Sequence, residues 1–118
     1  MSQISRHDAI TLLDDAKAED FERFVEEELF PYFRERFRGP TRVSLADLLS
    51  QALLRGDEQA GSYVWVTMWD GSVDAVRGRF FENARMMGRI EATDAILEKL
   101  DSFAERGSEQ VMRQLLHE

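Results

Sequence analysis

The stretch SYVWVTMW, residues 62–69, constrains this chain more than any other. β-Branched and aromatic residues fill it, which suits a pleated sheet surface better than a helix. Successive side chains on a strand point to opposite faces, so Val64, Val66 and Met68 share one side and Tyr63, Trp65, Thr67 and Trp69 the other. Asp70-Gly71 ends the run. A lone strand needs neighbours, and the polar turn Gly56–Gly61 offers one in residues 41–55. Those residues read two ways. Ser44-x-x-Asp47 resembles a helix N-cap, and Leu, Ala and Gln are good helix formers. The hairpin asks at least the latter part to be strand.

Elsewhere the periodicity alternates between strand and helix. Residues 4–14 form a strand with Ile10 and Leu12 on one side and His7, Ala9, Thr11 and Leu13 on the other. Over 17–38, Phe21, Phe24, Val25, Leu29, Tyr32 and Phe33 keep helical spacing. Eight acids between Asp14 and Glu28 precede Arg34, Arg36 and Arg38, the order a helix dipole favours. Pro31 lacks a backbone donor and should kink or divide this helix near Glu27–Leu29, and Gly39-Pro40 stops it.

Residues 72–87 return to helical spacing through Val73, Val76, Phe80, Ala84 and Met87, with Ser72 as cap. Gly78 weakens that segment by roughly 1 kcal/mol relative to Ala, and Gly88 breaks it. A second helix over about 91–105 carries Ile96, Leu100 and Phe103, and Gly107 marks its end. The tail from Ser108 reads as a last strand or as more helix.

Strand, helix, strand, strand, helix, strand is the ferredoxin-like βαββαβ order of an α+β sandwich. On AEDFERFVEEELFPYF after a first strand, LLRGDEQAGSYVWVTMWDG as a hairpin and ILEKLDSFAERG before a last strand, the chain resembles the dimeric α/β-barrel superfamily. That superfamily includes stress-responsive A/B-barrel and antibiotic-biosynthesis-monooxygenase-like proteins. The resemblance implies a homodimer with sheets face to face and a pocket between sheet and helices. It also implies a small-molecule-binding protein or a cofactor-independent enzyme, monooxygenase- or cyclase-like, acting on a hydrophobic ligand, aromatic or not. Cyclase-like members use a histidine and a tyrosine, which nominates His7 as general base and Tyr63 as acid. Trp65, Trp69 and Phe80 would wall the pocket and Arg79 would add a cation. A haem-degrading member would need a histidine on the second helix and an asparagine on the first strand, and neither is present. The rival reading is a non-catalytic dimerisation module, in which the same aromatics fill core or interface.

Composition narrows the chemistry. The 118 residues fit one domain, 1–118. A net charge of -8 disfavours nucleic acid as a partner. Without cysteine there are no disulfides, zinc ribbons or thiol nucleophiles. No apolar run has the length of a signal peptide or a membrane span, so the expected setting is cytoplasmic. His7-Asp8 and His117-Glu118 lack the i, i+3 or i, i+4 spacing of a helical metal pair, and no metal or cofactor is expected. Two basic islands, Arg34–Arg42 and Arg77–Arg89, stand out on an acidic chain. They suit an anionic ligand or, with better precedent, acidic stretches of a partner subunit.

Overall fold

A computed structural model describes residues 3–37, 46–56, 61–80 and 90–113. Four strands build one antiparallel sheet: β1 (Gln3–Leu12), β2 (Ala46–Arg55), β3 (Ser62–Gly71) and β4 (Ala104–Arg113), in the order β2-β3-β1-β4. β1 and β3 are central, paired so that Ile10 faces Tyr63, Asp8 faces Trp65 and His7 faces Val66. The order is ferredoxin-like. Residues 46–55 are therefore strand, because β3 supplies the pairing that local helix preference lacks; Ser44 lies outside the described residues.

One face of the sheet is covered by helices and packed with rings. Phe33 stacks toward Trp65 with centroids 5.2 Å apart, Phe37 meets Trp69 at 5.5 Å, and Phe80 meets Trp69 at 4.9 Å. Trp65 and Trp69 are wholly buried. The other face carries Val64, Val66 and Met68, half-buried, beside Leu54 and Met112, 54% and 43% exposed. No described helix covers it.

The long helix is divided in front of Pro31. Helix α1 (Ala18–Phe24) passes into a π-helical turn, Val25–Leu29, and then into α2 (Phe30–Arg36). Pro31 has no N–H to return to the carbonyl four residues back, and the Phe30 N–H bonds the Val25 carbonyl five residues back instead. The Gln51 side chain on β2 donates to the Phe30 carbonyl at 2.9 Å, fastening the turn to the sheet. Gly39-Pro40 lies outside the described residues.

The segment after β3 departs from its helical spacing. Ser72 caps as expected, accepting from the Ala75 N–H at 3.2 Å, but helix α3 spans only Val73–Val76. Arg6 Nη1 donates to the carbonyls of both Val76 and Gly78 at 2.8 Å. Those oxygens no longer serve a continuing helix, and Gly78 turns the chain with φ of 67°. Helix α4 (Ile90–Phe103) packs Leu97 and Leu100 on the core and runs straight into β4. Gly107 thus lies inside a strand, beside the bulge where the β1–β4 register shifts.

Candidate functional site

β1 carries Ile4, Arg6, Asp8 and Ile10 on its helix-covered face, so strand alternation places a charged pair in the core layer. Arg6 is 4% exposed. Its Nε and Nη2 donate to the Asp8 carboxylate at 3.0 Å, while Nη1 serves the Val76 and Gly78 carbonyls. A guanidinium offers five N–H groups in a rigid fork, and this one ties β1 to the end of α3.

Asp8 pairs in register with Glu109 on β4, which brings a second carboxylate to the same guanidinium. Glu109 Oε2 lies 3.0 Å from Arg6 Nη1. Both Nη1 hydrogens point at carbonyls, so among the described residues this oxygen accepts no hydrogen bond although it is sealed from solvent. Glu109 is therefore a part-exposed carboxylate fixed by charge, with Oε2 turned inward against Arg6.

These groups form the floor of a cleft of about 820 Å³ between the sheet, the turn after α3 and the end of α4. Arg79, Asp101 and Arg106 add to its walls. Arg106 is occupied by Asp101 at 3.0 Å. Arg79 is exposed at the mouth. The cleft can accept an anionic group at Arg79 and a hydrogen-bond donor at Glu109.

No protein-family model matches the chain, and no curated protein matches it. Solved structures do. SnoaB, a cofactor-independent oxygenase from Streptomyces nogalater, is similar over 100% of both chains with a TM-score of 0.62 at 17% identity. HapK from Hahella chejuensis is similar over 95% of this chain and 92% of its own, with a TM-score of 0.60 at 17% identity. A protein from Bordetella bronchiseptica, provisionally described as an antibiotic biosynthesis monooxygenase, covers 99% of both chains with a TM-score of 0.54 at 22% identity. The chain has the ferredoxin-like α+β fold of these structures.

Within this ferredoxin-like fold the nominated residues fall in three places. His7 and Tyr63 do not meet: His7 is on the outer face of the sheet, opposite Val66, whereas Tyr63 is on the helix-covered face. Side-chain alternation on paired strands separates them. Tyr63 is also a poor acid. Burial, with its hydrogen bond to Glu22 second, pushes its phenol up to about 12. Trp65, Trp69 and Phe80 are buried at 0%, 0% and 7% exposure in the aromatic core, where they pack on protein rings. Arg79 does reach the cleft.

The sequence pattern does not mark Arg6, Asp101, Arg106 or Glu109, and it offers Asp8 only beside His7, as a metal pair that the spacing disfavours. Extending the Ile10–Leu12 side of β1 back by twos reaches Asp8, Arg6 and Ile4, and that alternation alone would have flagged a charged pair on a buried face. Glu109 needed the register with β4, which no local pattern supplies. Of the basic islands, Arg77 lies 3.9 Å from Asp74, and Arg34 borders a second cleft, of about 460 Å³, with Leu48 and Gln51. Arg38, Arg42, Arg85 and Arg89 lie outside the described residues. Among the described residues no cluster of three metal-ligating side chains occurs, and no helix is long and apolar enough to cross a membrane.

Proposed function

We propose that this chain binds a small, aromatic acid or quinone in the cleft floored by Arg6, Asp8 and Glu109, and that its activity is of the cofactor-independent monooxygenase kind. The observation that carries this reading is a cleft of about 820 Å³ lined by both Arg79 and Glu109, the latter part-exposed and held with its Oε2 3.0 Å from a fully engaged arginine. A ligand hydroxyl would donate to the other carboxylate oxygen, Glu109 Oε1, and Arg79 would take its anionic end. The likeness of fold to a described cofactor-independent oxygenase supports the choice of chemistry to assay. In this reading Arg6 positions Glu109, Glu109 receives the ligand's proton, and Arg79 orients the ligand.

The same reading makes the chain a homodimer. Its support is the outer sheet face, where Leu54 and Met112 are more than two-fifths exposed beside Val64, Val66 and Met68. Contiguous apolar surface of this kind marks an interface.

Thermal unfolding with a panel of hydroxylated aromatic carboxylates and quinones tests the site. A ligand at a hundredfold excess over its Kd stabilises by about 2.7 kcal/mol, a rise of several degrees for a domain of this size. Arg79→Ala and Glu109→Gln should each shrink that rise. If no member of the panel moves the wild-type Tm at millimolar concentration, the proposed ligand class is wrong.

A further inference from the structure

The outer face of the sheet holds His7 near its middle. His7 sits opposite Val66 on β3 and Gln110 on β4, and its own strand adds Ser5 and Ala9 on that face. Met68 and Met112 pair with Ser5 on either side. None of these neighbours is charged. On this face the charged groups among the described residues stand toward the ends: Asp70 beside Gln3 and Asp47, and Glu105 beside Thr11. Gln3 and Thr11 are each four residues from His7, about 13 Å along a strand.

We propose that His7 makes self-association through this face pH-dependent, with the dimer forming when the imidazole is neutral and loosening when it is protonated. The inference rests on the homodimer reading above. A two-fold dimer whose axis passes near the middle of this face presents the same patch to itself, so the partner returns an uncharged surface to His7. An imidazolium closed between two such surfaces loses its water and gains no carboxylate in exchange. Each protomer must then shed one proton before the faces meet. Histidine in water titrates near pH 6.5, so two coupled protons weaken a dimer by about a hundredfold between pH 7.5 and pH 5.5.

Sedimentation velocity on the full chain at those two pH values tests this, with His7→Gln as the comparison and a far-UV spectrum to confirm folding. The expected result is a dimer Kd about a hundredfold higher at the lower pH for wild type and little change for His7→Gln. A wild-type dimer with the same Kd at both pH values overturns the role of His7 and leaves the dimer standing. A variant that keeps the wild-type shift overturns it too. A chain that is monomeric at both values removes the dimer reading itself, and this inference with it. Should His7→Gln fail to fold, the wild-type comparison alone still decides, since an unchanged Kd sinks the idea.

Discussion

The Tyr63 hydroxyl donates to Glu22 Oε2 at 2.6 Å, joining the central strand β3 to the first helix. Arg55, at the end of β2, reaches the same carboxylate at 2.7 Å. Arg55, and then Tyr63, hold the Glu22 carboxyl below its ordinary range. The Tyr63 phenol is raised, by burial first and Glu22 second, to about 12. Glu22 is thus the hinge of a three-residue clasp between helix and hairpin.

The clasp makes stability depend on pH at both ends. A phenol raised above its unfolded value of about 10 contributes stability that is complete below pH 10 and lost as pH climbs toward 12. A lowered carboxyl contributes in the opposite direction: its share is present above the unfolded carboxylate pKa and lost as pH falls below it. Urea midpoints measured from pH 3 to pH 12 should fall at both extremes, and Glu22→Gln should flatten both arms. Ultraviolet titration of that variant should bring Tyr63 only part of the way back, because burial, the larger cause, remains. An unaltered Tyr63 titration would show that Glu22 contributes nothing to it.

Arg6 and Asp8 give a second test. Their side chains are 5% and 8% exposed, so Asp8→Ala leaves a buried guanidinium with the part-exposed Glu109 as its one remaining counter-charge among the described residues. Breaking a buried pair from one side costs about 3–5 kcal/mol. The same arginine holds the Val76 and Gly78 carbonyls, so amide exchange around α3 should quicken in the variant more than exchange in β3. A stability loss under about 1 kcal/mol, within the range of surface ion pairs, would mean that water reaches the pair.

Trp65 and Trp69 belong to the folding core, and that sets a third expectation. Trp65 is fully buried against Phe33 and Phe30, and truncation to Ala should cost about 3–5 kcal/mol. Trp69 Nε1 also donates to Thr67 Oγ1 at 2.7 Å, so Trp69→Phe removes a buried hydrogen bond and leaves most of the packing. Urea unfolding should rank Trp65→Ala well below Trp69→Phe. Equal and small losses would indicate that the rings line a solvent-filled space.

Where sequence reasoning succeeded and where it failed follows from the range of the forces involved. The two faces of β3 were legible because alternation is a property of the strand itself, and the division ahead of Pro31 because a missing N–H acts within one helical turn. Residues 46–55 were ambiguous because a half-exposed edge strand carries a helix-like composition, and only pairing with β3 decides it. The early end of α3 was invisible because the group that takes its carbonyls, Arg6, is seventy residues away along the chain. The site suffered likewise: Glu109 and Asp8 meet only through a β1–β4 register that neither strand specifies alone.

The outer face supplies the last prediction. Val66 is central on it, facing His7 on β1 and Ala52 on β2, and its side chain is half-buried with no described helix above it. Val66→Lys therefore places an ammonium where the isolated fold already meets water, and the long aliphatic stem can lie along Met68 and Leu54 while the charge stays solvated. Stability of the monomer should change by no more than about 1 kcal/mol. In the dimer the same substitution brings two like charges into an apolar contact, which no partner carboxylate near the centre of the patch relieves. Light scattering after size exclusion should then report a monomer for Val66→Lys at concentrations where wild type is a dimer, with unchanged far-UV spectra. A variant that unfolds instead would show that this face is covered by its own chain, and one that stays dimeric would move the interface elsewhere.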